Sequence, residues 1–208
     1  MKALTKNERD SLTPQEVIEI LKNGNRRFVE NLKVNRNLLE QVNDTSTGQH
    51  PAAIVLSCID SRTSAELIFD QGLGDIFSCR IAGNVLNDDI IGSMEFACKV
   101  AGVKLIMVLG HTACGAIQGA CAGVELGKLT GLLNKVKPAI EEEKTVIENR
   151  DASNAEFVDK VASVNVDLAI HEITNQSEVL SQMVEDGEIS ICGGMYDVAT
   201  GTVGFIDL

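Results

Sequence analysis

Apolar residues are spaced along this chain in two rhythms, and the change from one to the other predicts its elements. In "TPQEVIEILKNGNRRFVENL", residues 13–32, Val17, Ile20, Leu21 and Phe28 recur at helical intervals behind a Thr13 cap and a Pro14 in the first turn, so an amphipathic helix is expected. The polar stretch "NDTSTGQH" then reads as a loop. Beyond it lie "AAIVLSC", "IFSCRIAG" and "KLIMVLG", apolar runs that are short, rich in β-branched residues and without polar alternation. Such runs suit parallel strands covered on both faces. Helix-like "SAELIFDQG" and "DDIIGSMEFACKVAG" separate them, giving strand, helix, strand, helix, strand.

A long helical portion follows from about Thr130 to Glu185, interrupted near "NRDASN", with "EEEK" as a solvated acidic face. "EISICGGMYDVATGTVGFIDL" closes the chain as a fourth strand, a Gly-bearing turn at "ATG" and a short antiparallel partner. The predicted fold class is α/β: a mainly parallel central sheet, about four parallel strands plus one antiparallel C-terminal strand, flanked by helices and preceded by an N-terminal helical arm. No repeat, low-complexity tract or linker divides the chain. Residues 1–208 are therefore expected to form one domain, with 1–45 as the arm and 50–208 as the α/β core.

Composition narrows the setting. A chain of 208 residues with 44% hydrophobic content can bury a sizeable core. Its net charge of −12 repels phosphate backbones and anionic lipid surfaces, so neither nucleic acid nor a membrane is an expected partner. No stretch approaches the roughly 20 apolar residues of a membrane span, and "MKALTKNERDSLTPQE" is too polar for a signal peptide. The expected location is the cytoplasm, with the periplasm open if a signal peptide has been removed. Six irregularly spaced cysteines are too few for a disulfide scaffold, and most are expected as small buried hydrophobes.

Two stretches do not fit a purely structural reading. "SCIDSR" ends the first apolar run and "GHTACG" ends the third, and in open α/β sheets ligands bind at the carboxyl ends of strands where the strand order reverses. Pooled, they offer Cys58, His111 and Cys114, two soft thiolates and an imidazole that suit zinc and leave a fourth tetrahedral position free. The competing reading makes Cys58 a core thiol and His111 a satisfied polar residue. Alternation along an extended segment would put residues 58, 60 and 62 on one side, with an Arg62 fork holding Asp60 ionised. A surface ion pair capping the next helix is the plainer alternative.

With "CIDSR" followed by "HTAC", and with "RIAGN", "GSMEFA", "GHTACGAI" and "YDVATGTV" elsewhere, the sequence resembles the β-class carbonic anhydrases over roughly residues 15–205. The resemblance implies reversible hydration of carbon dioxide to bicarbonate and a proton. It implies one Zn2+ per subunit on Cys58, His111 and Cys114, and a catalytic dyad of Asp60 and Arg62. It also implies a homodimer, or a dimer of dimers, with the active site beside the subunit interface. Gln49 matches a glutamine that reaches across that interface toward substrate, and Phe77 matches an apolar wall residue. The backbone N–H of Gly115 is expected to support a developing bicarbonate oxygen.

Departures from the family pattern are Ile59 after the first cysteine, "RTSAE" in place of the commoner "RVPAE", Phe96 where a tyrosine is frequent, and the absence of tryptophan. His50, next to Gln49, is the candidate proton relay, whereas His171 reads as structural. Two rival functions share the site: hydrolysis of carbon disulfide or carbonyl sulfide, and a non-catalytic zinc protein whose fourth position is closed.

Overall fold

The computed structural model describes residues 3–206. Two helices open it, α1 (Lys6–Ser11) and α2 (Pro14–Val29), each begun by a reciprocal Thr–Glu capping box, Thr5 with Glu8 and Thr13 with Glu16. α3 (Leu38–Thr45) begins at an Asn37 cap and takes in Asn43, Asp44 and Thr45, so the loop expected from residue 43 starts only at Ser46. Those three residues are poor helix formers, and the Asn37 cap with a buried Gln41 overrides them.

β1 (Ala53–Ser57), the single turn α4 (Ala65–Ile68), β2 (Ile76–Arg80), α5 (Asp88–Glu95) and β3 (Leu105–His111) follow, as the apolar runs predict. α5 starts at an Asn87 cap and continues through a π turn at Phe96–Val100. α6 (Gly115–Cys121) comes next, and α7 (Gly127–Leu133), α8 (Lys137–Glu142), α9 (Ala155–Gln176) and α10 (Glu178–Glu185) make up the long helical portion, which begins at Gly127 and breaks at Ser177 as well as near "NRDASN". Ser177 both ends α9 and caps α10. β4 (Ser190–Tyr196) and β5 (Val203–Ile206) complete one five-stranded sheet in the order β2-β1-β3-β4-β5. All neighbours are parallel except β4 and β5.

Both faces of this sheet are covered, which is why its strands lack polar alternation. Ile54, Leu56, Ile106 and Val108 face Val166, Ala169, Ile170 and Ile173 of α9 with Ile91 and Met94 of α5. Ala53, Val55, Leu105, Met107 and Leu109 face Val17 and Leu21 of α2 with Ile68 and Phe69. Helix α2 is thus packed against the sheet rather than extended away from it. Burying one such Leu or Phe side chain contributes about 1.5–3 kcal/mol. Among the described residues no helix is long and apolar enough to cross a membrane.

The strand order decides where the chain can build a site. β1 connects to β2 on one side and the chain then returns past β1 to β3 on the other, so the order reverses between β1 and β3. At Gly110 an added Cβ would lie 2.6 Å from Val166 Cγ2, so the glycine admits α9 close against the end of β3.

A polar knot fixes the loop before α9. Glu143 accepts from the Thr145 amide at 2.6 Å, the Val146 amide at 3.1 Å and Arg150 Nη1 at 2.7 Å. Burial pushes its pKa up, but the Thr145 hydroxyl and amide, the Val146 amide and Arg150 outweigh that and hold it at about 2, below its ordinary 4.5. A carboxyl depressed in the folded state stabilises the fold above its unfolded pKa and loses that contribution as pH falls toward the folded one. Glu143→Gln is expected to be about 1–3 kcal/mol less stable in urea unfolding at pH 7. The difference from the parent should shrink between about pH 4.5 and pH 2; a difference independent of pH would contradict this assignment.

Candidate metal centre

Cys58 follows β1 directly, His111 ends β3, and Cys114 caps α6. Because β1 and β3 are parallel and in register, with Ser57 opposite Leu109, their carboxyl ends bring the first two together. Cys114 returns to them through a tight reversal in which Ala113 adopts a left-handed φ of 52°. The ligand atoms of Cys58, His111 and Cys114 all lie within 4.8 Å of one another, and all three residues are buried. Among the described residues no other His, Cys, Asp or Glu side chains form such a group.

Each donor is prepared. The Nδ1 of His111 lies 2.9 Å from the carbonyl of Thr112, which can only accept, so Nδ1 carries the proton and Nε2 presents a lone pair. That Nε2 is buried without a hydrogen-bond partner. The two thiols are 4.0 Å apart, far too long for a disulfide, and all six cysteines are free. Cys58 Sγ accepts a hydrogen bond from the Gly83 amide at 3.3 Å. The hydrogen bond from Cys114 lowers the Cys58 pKa, with help from His111 and the Gly83 amide against desolvation, and the same bond and burial raise that of Cys114. A buried imidazole lone pair beside two buried thiols in contact is a donor set that fits a metal ion.

The carbonic anhydrase family profile matches residues 53–203, which hold all three of these side chains. The chain belongs to the β-class carbonic anhydrases. Carbonic anhydrase 2 of Mycobacterium tuberculosis is 34% identical over 187 residues, covering 87% of each chain. The carbonic anhydrase of Mycolicibacterium smegmatis is 33% identical over 189 residues, covering 88% of each. The crystal structure of the β-carbonic anhydrase CafA of Aspergillus fumigatus superposes with a TM-score of 0.69 at 27% identity, covering 93% of this chain and 89% of that one.

The other carbonic anhydrase positions separate into two sets. Asp60 and Arg62 lie beside the metal group, but the segment is a turn rather than an extended strand, because the Thr63 amide bonds to the Asp60 carbonyl at 3.0 Å. Asp60 Oδ1 accepts the Arg62 amide at 2.9 Å, an Asx turn that the expected alternation of residues 58, 60 and 62 did not include. The guanidinium then grips the carboxylate at both oxygens, Nε to Oδ1 at 2.9 Å and Nη2 to Oδ2 at 2.8 Å. Arg62 holds the Asp60 carboxyl well below the usual range, and Asp60 is not in the metal group. Gly115 opens α6, so its N–H is among the helix's first-turn donors, and an added Cβ there would meet open space.

Gln49, His50 and Phe77 are elsewhere. Gln49 and His50 precede β1, with Gln49 exposed beside Gly74, and Phe77 is the second residue of β2. All three lie toward the amino ends of the parallel strands, away from the metal group of their own chain. Phe77 and Phe96, whose rings are 6.4 Å apart, line a hollow of about 540 Å³ with Ile54 and Gly92. His171 donates its Nδ1–H to the Asp167 carbonyl of its own helix at 2.7 Å.

Three further residues support these turns. Arg80 clamps the turn after Cys58, its Nε 3.1 Å from the Cys58 carbonyl and its Nη2 2.6 Å from that of Asp60. Asp159 accepts the Ala113 amide at 2.8 Å, and Asn165 donates to the Gly83 carbonyl at 3.0 Å. Arg80 opens the "RIAGN" stretch, Asn165 shows as a polar residue within the apolar face of "VASVNVDLAI", and Asp159 left no trace. Asp159→Ala frees the strained Ala113 turn and is expected to cost about 1 kcal/mol in urea unfolding. Unchanged stability would show that the reversal before Cys114 holds itself.

Proposed function

We propose that this protein catalyses the reversible hydration of carbon dioxide to bicarbonate and a proton, with one Zn2+ per subunit on Cys58, His111 and Cys114. The observation that carries the reading is the buried group within 4.8 Å whose imidazole offers a free Nε2. Two thiolates and an imidazole match zinc, and three protein ligands leave its fourth tetrahedral position for chemistry. Once bound, zinc supplies the Lewis acidity that makes water a nucleophile near neutral pH.

The remaining steps belong to side chains and backbone. Asp60, kept ionised by the Arg62 fork, accepts a hydrogen bond from the attacking oxygen and so aims its lone pair at carbon. Arg62 keeps Asp60 turned from the thiols and imidazole. The Gly115 N–H donates to the oxygen on which bicarbonate charge develops. Water-excluding walls come from a second copy of the chain: Gln49 of the partner subunit positions carbon dioxide and Phe77 of the partner subunit closes the apolar side. A homodimer, alone or doubled, also covers Leu38, Leu39 and Val42, which stand exposed on α3, and Phe96, exposed in the π turn after α5. Six free thiols fit a reducing cytoplasm.

Stopped-flow assay of the zinc-loaded protein is expected to show carbon dioxide hydration; a rate no higher than buffer would refute the reading. Cys58→Ser should lose most of its zinc by elemental analysis. Arg62→Ala should keep zinc and lose about 10²-fold in kcat, the scale of a misplaced reacting group; full activity would remove Arg62 from the mechanism.

The contribution of Gln49 across the interface has its own test. Mixing Cys58→Ser subunits with Gln49→Ala subunits should restore activity, because in each mixed dimer one site receives both defects and the other neither. No recovery on mixing would place Gln49 in its own subunit's site or outside catalysis.

A further inference from the structure

Asn165 is 6% exposed on a face of α9 whose neighbours Val161, Ala162, Val166 and Ala169 are all buried and apolar. An amide there costs free energy unless it is hydrogen-bonded, and an aliphatic side chain would serve the packing equally well. Its Nδ2 donates to the Gly83 carbonyl at 3.0 Å. Gly83 in turn donates its N–H to Cys58 Sγ at 3.3 Å.

Gly83 is held in a conformation few other residues adopt, with φ 68° and ψ 16°. Its far side abuts α6, where an added Cβ would lie 3.3 Å from Ala116 Cβ. The two hydrogen bonds act on the peptide groups either side of the Gly83 Cα, so together they fix the dihedral angles that aim its amide at sulfur. A hydrogen bond to a metal thiolate orients the sulfur and withdraws charge from it, leaving the metal more electrophilic.

We propose that Asn165 is a positioning residue for carbon dioxide hydration: through Gly83 it fixes the N–H that bonds Cys58 Sγ, and so sets the donor strength of that sulfur toward the metal. The inference rests on Cys58 being a metal ligand. It extends the metal centre from three side chains at the strand ends to the middle of a helix on the sheet's outer face.

Asn165→Leu keeps the branched shape, at a somewhat larger volume, and removes the donor. Competition with a chelator is expected to show Zn2+ held about tenfold more weakly, the scale of losing an outer hydrogen bond at a metal site. In the Co2+-substituted protein the sulfur-to-cobalt charge-transfer band should move to longer wavelength. Ala169→Gly, on the same face, serves as control: it should lower the unfolding midpoint and leave both readouts unchanged. A folded Asn165→Leu protein with parental Zn2+ affinity and an unmoved cobalt band would overturn the proposal.

Should the leucine variant not fold, Asn165→Ser, whose hydroxyl is too short to reach Gly83, is expected to give the same two shifts and overturns the proposal if it does not. In the unmodified protein loaded with 113Cd, a scalar coupling between the metal and the Gly83 amide proton is expected, and its absence would also overturn the proposal. Failure of the unmodified protein to show any sulfur-to-cobalt band would instead remove Cys58 as a ligand, a result separate from that of the variants.

Discussion

Burial of polar donors at the switch point is the constraint on which the rest of this structure turns. Cys58, His111 and Cys114 are each below 5% exposed, and in that setting a thiolate or an imidazole lone pair is destabilising unless something answers it. The sheet brings them there by register, since parallel pairing of β1 with β3 ends both strands at one level. Left-handed Ala113 then brings Cys114 back to within 4.0 Å of Cys58. Each of these features has a local cost that a bound metal ion would offset.

Around this group the polar contacts form two layers with different work. The outer layer, Asp60, Arg62 and Arg80, faces solvent and fixes a turn whose carboxylate is held in one orientation and one protonation state. The second layer is Gly83, which donates to the Cys58 sulfur, with Asn165 and Asp159 of α9, which hold the Gly83 carbonyl and the Ala113 amide; α9 also supplies the apolar cover for β1 and β3. One helix thus shapes the core and steadies the site, so packing and function cannot be altered independently along residues 158–166.

Much of this was legible in the sequence because strong local signals agree with the global fold. Unalternating apolar runs marked the parallel strands, and the thiols and histidine at their ends marked the metal group. Legibility failed where the controlling contact is to a distant backbone atom. Arg80, Asp159 and Asn165 act on carbonyls or amides of residues 58, 60, 83 and 113, and no periodicity encodes such pairs. The Asp60–Arg62 pairing was anticipated, but through strand alternation; the chain makes it with an Asx turn because the strand has already ended at Ser57. α3 was hidden by the low helix propensity of its last residues.

Zinc K-edge absorption on the loaded protein tests the central claim most directly. Two sulfur neighbours at about 2.3 Å and two lighter atoms at about 2.0–2.1 Å are expected, one showing the outer-shell scattering of an imidazole. A shell with no sulfur, or with more than two, would contradict it.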